Sequence, residues 1–223
     1  MIYSEVMIQD ALRYIQMPAS RQNKQIIQKI KDTYDELDKI SLSKYVYNSL
    51  PIYLDEDTVS FKHTKIKIIS QDLSKLFKNC SRCYILAATL GQNVDRQIGI
   101  EQKKDMFDAL VLDACASVLI DKICDDIEQK IIEELEEDEF LTMRFSPGYG
   151  DVPLIVQKQV TDVLNTSKRI GLSLTKTNML IPTKSVTAFI GVSNQKENRM
   201  KNCATCNLVR VCAYKERGDR CGL

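Results

Sequence analysis

No helix can run through Arg144-Phe-Ser-Pro-Gly-Tyr-Gly-Asp-Val-Pro153. Pro147 locks its own φ and drives Ser146 toward an extended conformation, while Gly148 and Gly150 admit positive φ values that strain other residues. A long helical pattern and a short apolar segment precede the stretch and a new helical pattern follows it, so the chain must form a shaped, exposed turn here. Arg144 can offer a carboxylate or phosphate two parallel hydrogen bonds from its planar fork. Tyr149 can lay its ring on a flat base or against a cation. Pro-Gly is also plain loop punctuation, so local chemistry leaves a structural turn and a ligand cradle both open.

With 223 residues the chain can bury one substantial core, or a core and a smaller appendage. Its formal net charge of +1 excludes the broad basic footprint of a nucleic-acid-binding surface. The amino terminus, Met-Ile-Tyr-Ser-Glu-Val, lacks the basic start and apolar run of a secretion signal. The longest apolar stretch, Cys83-Tyr-Ile-Leu-Ala-Ala88, is far too short to span a bilayer. A cytoplasmic location without a membrane partner is therefore expected, and there the eight cysteines are thiols or metal ligands rather than disulfides.

Ser4 is placed to cap a helix through about Met17, stopped by Pro18, and Ser20 to cap a second whose Ile26, Ile30, Tyr34 and Leu37 form a stripe. Between residues 44 and 70, Tyr45, Tyr47, Ile52, Tyr53, Val59, Phe61, Ile66 and Ile68, broken by Pro51 and Asp55-Glu-Asp57, predict a meander of two or three strands. Ser70 is then expected to cap a short helix over 71–78. Tyr84-Ile-Leu-Ala-Ala-Thr-Leu-Gly91 reads as a fully buried strand. Asn93 is placed to cap a helix to about residue 102. Residues 104–137 form one long helix whose Phe107, Leu110, Val111, Ala114, Val118 and Ile127 are expected on a buried face. The acidic run Glu133-Glu-Leu-Glu-Glu-Asp-Glu139 would sit at the C-terminal end of that helix, where the macrodipole prefers cations, and is expected to fray. Beyond the turn, Asp151 is placed to cap a helix to about residue 165, and strands are expected over 172–175, 179–181 and 185–191. Strands in runs, rather than in βαβ alternation, imply an α+β fold with an antiparallel or mixed twisted sheet and several helices, one of them long and central.

Composition shifts after Ser193, which divides the chain into a main domain, residues 1–193, and a cysteine-rich tail, residues 194–223. Within the main domain, residues 1–79 are the helical and meander part. Cys203-x2-Cys206-x5-Cys212-x8-Cys221 offers four soft ligands, and four thiolates suit zinc or an iron–sulfur cluster equally. Cys80-Ser-Arg-Cys83 is a second Cys-x-x-Cys pair, with Cys83 starting the buried strand, while Cys115 and Cys124 are expected to pack in the core. His63, the only histidine, is expected on a surface strand.

Arg144-x-x-Pro147-Gly148-Tyr149, followed by Pro153 and Gln157-Lys158, resembles the motif of the S-adenosylmethionine-binding activation domain of cobalamin-dependent methionine synthase, above all in its stand-alone bacterial form. Ile170-Gly-Leu-Ser-Leu-Thr175 and the segment from Pro182 to Phe189 are similar to the blocks that follow in that family, and Ala87-Ala-Thr-Leu-Gly91 with Val94-Asp95 to its stand-alone members. The resemblance covers most of residues 80–193 and residues 1–79 only loosely. It implies that Arg144 and Tyr149 bind S-adenosylmethionine through their side chains, with Ser146, Pro147 and Gly148 shaping the site mainly through backbone. It implies a partner as well, a cobalamin-dependent methionine synthase lacking its own activation domain, which supplies the cobalamin. When that cofactor has slipped to cob(II)alamin, an external electron donor reduces the cobalt and the methyl group passes from the sulfonium to cob(I)alamin. The full-length enzymes carry an aromatic pair and a histidine after the last strand, where this chain has Phe189-Ile-Gly-Val-Ser193. Methyl transfer to so strong a nucleophile needs alignment more than acid–base help, so the missing histidine is compatible with the role.

Two other functions fit parts of the chain. A self-sufficient S-adenosylmethionine-dependent methyltransferase would show a glycine-rich strand-to-helix loop in a parallel sheet, which Leu90-Gly-Gln-Asn-Val94 imitates poorly. A metal-binding interaction protein would use the tail and leave the turn purely structural.

Overall fold

The computed structural model describes residues 3–17 and 23–195. The tail cysteines Cys203, Cys206, Cys212 and Cys221 lie outside those residues, as do Pro18 and Ser20. The described chain divides into two compact units.

Helices dominate the first unit, which takes in residues 1–48, 85–134 and 157–187. Its central member is α5 (Met106–Glu133), a helix of 28 residues, about 42 Å at 1.5 Å per residue. Ala109, Val111, Leu112, Ala114, Cys115, Ala116, Val118, Leu119 and Ile120 are all buried, so apolar side chains wrap much of its circumference and it packs against α1 (Glu5–Tyr14), α2 (Lys24–Ile40) and α4 (Gln92–Lys104). Phe107 and Leu110, expected on the buried face, are instead 41% and 47% exposed, while Ala109, Val111 and Leu112 of the same turns are the buried ones. Met7, Ile8, Ala11 and Leu12 of α1 and Ile30, Tyr34 and Leu37 of α2 close the core, each large apolar side chain contributing roughly 1.5–3 kcal/mol. Tyr34 is fully buried and satisfies its hydroxyl by donating to the Met7 carbonyl at 3.0 Å. Burial raises its pKa, with Cys115 and Asp10 adding to the shift.

Helix starts follow side-chain chemistry. Ser4 caps α1, as its sequence position predicts, by accepting from the Met7 amide. Asn23 caps α2 through Oδ1 and the Ile26 amide at 3.0 Å. Asp105 alone separates α4 from α5: its amide closes α4 on the Glu101 carbonyl, and its Oδ1 accepts from the Phe107 and Asp108 amides at 2.7 and 3.1 Å. The start of α4 departs from expectation, since Gly91, not Asn93, stands at the cap position with no side-chain bond. The first unit also holds α7 (Thr166–Ile170) and the small antiparallel sheet of β6 (Ser173–Leu174) and β7 (Leu180–Ile181).

Strands carry the second unit, built from residues 49–84, 135–156 and the described residues from 188 on. A six-stranded sheet has the order β3 (Lys67–Ile69), β2 (Thr58–Phe61), β1 (Lys44–Asp55), β4 (Cys80–Thr89), β8 (Ser185–Ser193), β5 (Phe140–Leu141). The β1–β2, β2–β3 and β5–β8 ladders are antiparallel. The meander is therefore three strands, but β1 continues through Pro51: the ladder to β2 begins at Ile52, and the Pro51 carbonyl still accepts from the Lys62 amide at 2.9 Å. Phe61 and Phe189 meet at 5.5 Å between ring centroids in the core of this unit. Ser70 caps α3 (Gln71–Leu76), as expected, accepting from the Leu73 amide at 3.0 Å.

Of the acidic run only Glu133 belongs to the long helix, which stops there, short of the expected residue 137. The run's last member, Glu139, accepts from the Glu136 amide at 3.1 Å and pairs with Arg82, whose guanidinium lies 5.8 Å from the Tyr84 ring centroid. That anchoring holds the chain as it enters β5. His63 is exposed in the turn after β2, with φ +61°, rather than on a strand.

Candidate ligand-binding turn

The turn over residues 144–153 belongs to the second unit. Phe145 fixes one end by exchanging both backbone hydrogen bonds with Phe189 of β8, at 2.9 and 2.8 Å. From there the backbone closes on itself: the Tyr149 amide donates to the Ser146 carbonyl, the Val152 amide to the Tyr149 carbonyl, and the Gly148 amide to the Val152 carbonyl, all at 2.9–3.0 Å. Gly148 and Gly150 take φ values of +90° and +52°, as the sequence demands. At Gly150 space is limiting too, because a Cβ there would sit 3.1 Å from the Phe145 ring and against the Asp72 carboxylate.

Asp151 does not cap the helix that follows it. Its carboxylate reaches back to α3, where it accepts from the Ser70 hydroxyl, from the Gln71 amide at 2.7 Å and from the Asp72 amide at 3.4 Å. Desolvation opposes ionisation at Asp151, but these donors outweigh it and hold its carboxyl below the ordinary aspartate value. The following helix, α6 (Val156–Leu164), starts three residues after Pro153.

The arrangement buries Pro147 and Val152 beneath the turn and presents the rest. Tyr149 is 63% exposed, its ring standing edge-on to Phe145 at 6.4 Å and 80°. Arg144 and Ser146 are half-buried and Gly148 is exposed. The backbone of the turn is thus closed on its own hydrogen bonds, with Tyr149 exposed and Arg144 half-buried at its start.

A family model for the activation domain of vitamin B12 dependent methionine synthase matches residues 83–218, more than half of the chain and the whole of this turn. The chain belongs to that family. Among solved structures it is similar to a crystal structure of the MetH reactivation domain bound to AdoHcy, at 16% identity and a TM-score of 0.60, over 83% of this chain and 70% of that one. At that identity the likeness establishes the shared α+β fold. No curated protein sequence matches the chain.

Two further residues of this activation domain acquire roles that sequence position alone does not disclose. Asp95, near the start of α4, accepts from the Thr183 amide at 2.6 Å, the Thr183 hydroxyl at 2.8 Å and the Lys184 amide at 3.4 Å, and so pins the loop ahead of β8. Gln157 is buried and bonded through both its amide nitrogen and its oxygen, donating to the Asn178 carbonyl and accepting from the Thr187 hydroxyl, both at 2.8 Å. Both support the strands within the first unit. At Gly91, with φ +87°, a Cβ would stand 3.2 Å from the Leu42 Cβ and carbonyl, so the close approach of these two segments favours glycine. An open concavity of about 530 Å³ in the first unit is lined by Lys158, Asn165, Leu172, Thr175 and Asn178 and includes no residue of the Arg144–Tyr149 motif.

Cys83 is buried and burial pushes its thiol well up, as expected of a packing residue. Among the described residues no three His, Cys, Asp or Glu side chains come together as a metal site, and no helix is long and apolar enough to cross a membrane.

Proposed function

We propose that the turn over residues 144–153 binds S-adenosylmethionine and that the domain presents it to a cobalamin-dependent methionine synthase lacking its own activation domain, for reductive methylation of cob(II)alamin. The observation that carries this reading is the preformed Arg144-x-x-Pro147-Gly148-Tyr149 turn, inside the residues matched to the family, with Tyr149 exposed. Arg144 would hold the ligand carboxylate or ribose edge through its fork, and Tyr149 would lie on the ring or against the sulfonium. Ser146, Pro147 and Gly148 would form the floor, with the hydrogen bonds of the Ser146 carbonyl and the Gly148 amide keeping the loop in shape. The electron comes from an external donor and the cobalamin from the partner. The same reading places the protein in the cytoplasm.

Residues 194–223 form, on this reading, a separate tail whose Cys203, Cys206, Cys212 and Cys221 supply ligands for zinc or an iron–sulfur cluster. Iron, sulfide and zinc analysis of anaerobically purified protein tests it; protein free of all three would rule the centre out.

The functional test is reactivation of cob(II)alamin methionine synthase deprived of its activation domain, given S-adenosylmethionine, a reductant and this protein. Recovery of activity that depends on the protein is expected, with none from Arg144→Ala. Failure of the complete mixture, together with no heat of S-adenosylmethionine binding by calorimetry, would leave the turn structural.

A further inference from the structure

Asp72 is the one acid of α3, and it lies in the same unit as the turn. The residue is exposed, and its Oδ2 stands against Gly150 at the point where a Cβ would begin. The Phe145 ring lies 3.1 Å from the same point, and the Tyr149 ring meets that phenylalanine edge-on. Gly150, having no Cβ, thus lets a carboxylate and two aromatic rings gather around one short stretch of backbone. The other acid beside the turn is already engaged, because Asp151 accepts from the Ser70 hydroxyl and from the Gln71 and Asp72 amides. Asp72 is different. Among the described residues its carboxylate takes part in no hydrogen bond and no ion pair, while its amide, bonded to Asp151, ties it to the turn. A negative charge is therefore held beside the turn before any ligand arrives, with its oxygens open to one.

Arg144 suits the anionic end of an amino-acid ligand, and no residue from Arg144 to Tyr149 is anionic. A sulfonium is a permanent cation, drawn both to an aromatic face and to a carboxylate. We infer that Asp72 is the counter-charge to the sulfonium of S-adenosylmethionine, held with it at Tyr149, and that it makes the site prefer the charged donor to the neutral thioether left after methyl transfer. In that transfer the electron pair of cob(I)alamin forms the new bond to the methyl carbon, the carbon–sulfur bond breaks and its pair stays on sulfur. The charge facing Asp72 disappears. Asp72 therefore favours retention of the donor and release of the product. This rests on the reading of the turn as an S-adenosylmethionine site and adds to it a residue that selects between the two forms of the ligand.

The test is calorimetric titration of the full chain with S-adenosylmethionine and, separately, with S-adenosylhomocysteine, which keeps the adenine, ribose, amino and carboxylate groups and lacks only the methyl and the charge. The unsubstituted chain is expected to bind the first about threefold to fivefold more tightly, the range an exposed charge pair supplies. Asp72→Asn should weaken S-adenosylmethionine to the level of S-adenosylhomocysteine, whose affinity should not move, and Asp72→Glu should keep the preference. Equal affinity of the unsubstituted chain for both ligands, a loss shared equally by both in Asp72→Asn, or a preference that survives that substitution overturns the inference and leaves the turn a ligand site. Failure of the unsubstituted chain to bind either ligand overturns the inference together with the reading beneath it. Should Asp72→Asn fail to fold, titration of the unsubstituted chain at rising sodium chloride decides: the preference should shrink as salt screens the pair, and a preference independent of salt would sink the idea.

Discussion

Asp151 shows how one side chain can serve an element far from it in sequence. A local rule assigns it to the helix that follows, because an aspartate before a helical pattern is a good cap. Its actual partners, Ser70, Gln71 and Asp72, lie about eighty residues upstream, and nothing in a single sequence signals that pairing. Replacing Asp151 by Ala should cost about 1 kcal/mol, the usual loss for a cap, measured by denaturant unfolding. Asp151 has a depressed pKa in the folded state, so its contribution is complete above the unfolded value of about 4 and disappears as pH falls through the lower folded value. The stability gap between the parent and Asp151→Asn should therefore shrink as pH falls below about 4. Gly150→Ala should destabilise by roughly 1–3 kcal/mol, since φ is +52° and the Asp72 carboxylate blocks the new methyl. Tyr149→Ala, at a site 63% exposed, should leave the unfolding midpoint nearly unchanged yet abolish S-adenosylmethionine binding in calorimetry. A loss of stability equal to that of Gly150→Ala would mean that Tyr149 serves the loop and not a ligand. The turn itself is legible in the sequence because Pro147, Gly148 and Gly150 restrict the backbone whatever surrounds them; its anchoring is not, because that is tertiary.

Elements governed by local chemistry are the ones a sequence discloses. The Ser4 and Ser70 caps, the three-stranded meander, the buried apolar strand β4 and the long helix α5 all follow from spacing within a few residues. Those that depend on a distant partner do not: β5 is two residues long and exists only because Phe140 and Leu141 pair with Ser193 and Val192 of β8. The acidic run reads as a continuation of α5, but a C-terminal end repels that charge, and Glu139 gains more from Arg82 and the Glu136 amide. The gap between α4 and α5 is equally easy to miss, since both are helical patterns and a single residue divides them. Asp105→Ala should remove two hydrogen bonds to the α5 amino terminus and lower stability by about 1 kcal/mol, read as a shift in the chemical-denaturation midpoint with the slope unchanged. A change in slope would show that α4 and α5 had merged or separated in the native state.

At the scale of the molecule, β1, β4 and β8 each contribute residues to both compact units, so cutting the chain between units would sever strands as well as loops. The tail stands differently. β8 ends at Ser193, and beyond it the described chain makes the Gln195 contact with Asn79. If residues 1–193 form a domain that folds without residues 194–223, a chain ending after Gln195 should keep a single cooperative unfolding transition, with a midpoint close to that of the full chain measured without metal. It should also keep its affinity for S-adenosylmethionine, because Arg144 and Tyr149 are held by β8, α3 and their own backbone bonds. What the shortened chain should lose is metal, and with it the increment that a bound ion adds to the native state in proportion to the logarithm of its concentration. Unfolding the full and shortened chains over a zinc series separates the contributions. A zinc-dependent rise in midpoint seen in the full chain alone assigns the metal to the tail, whereas failure of the shortened chain to fold would make residues 194–223 part of the main core and erase the boundary at residue 193.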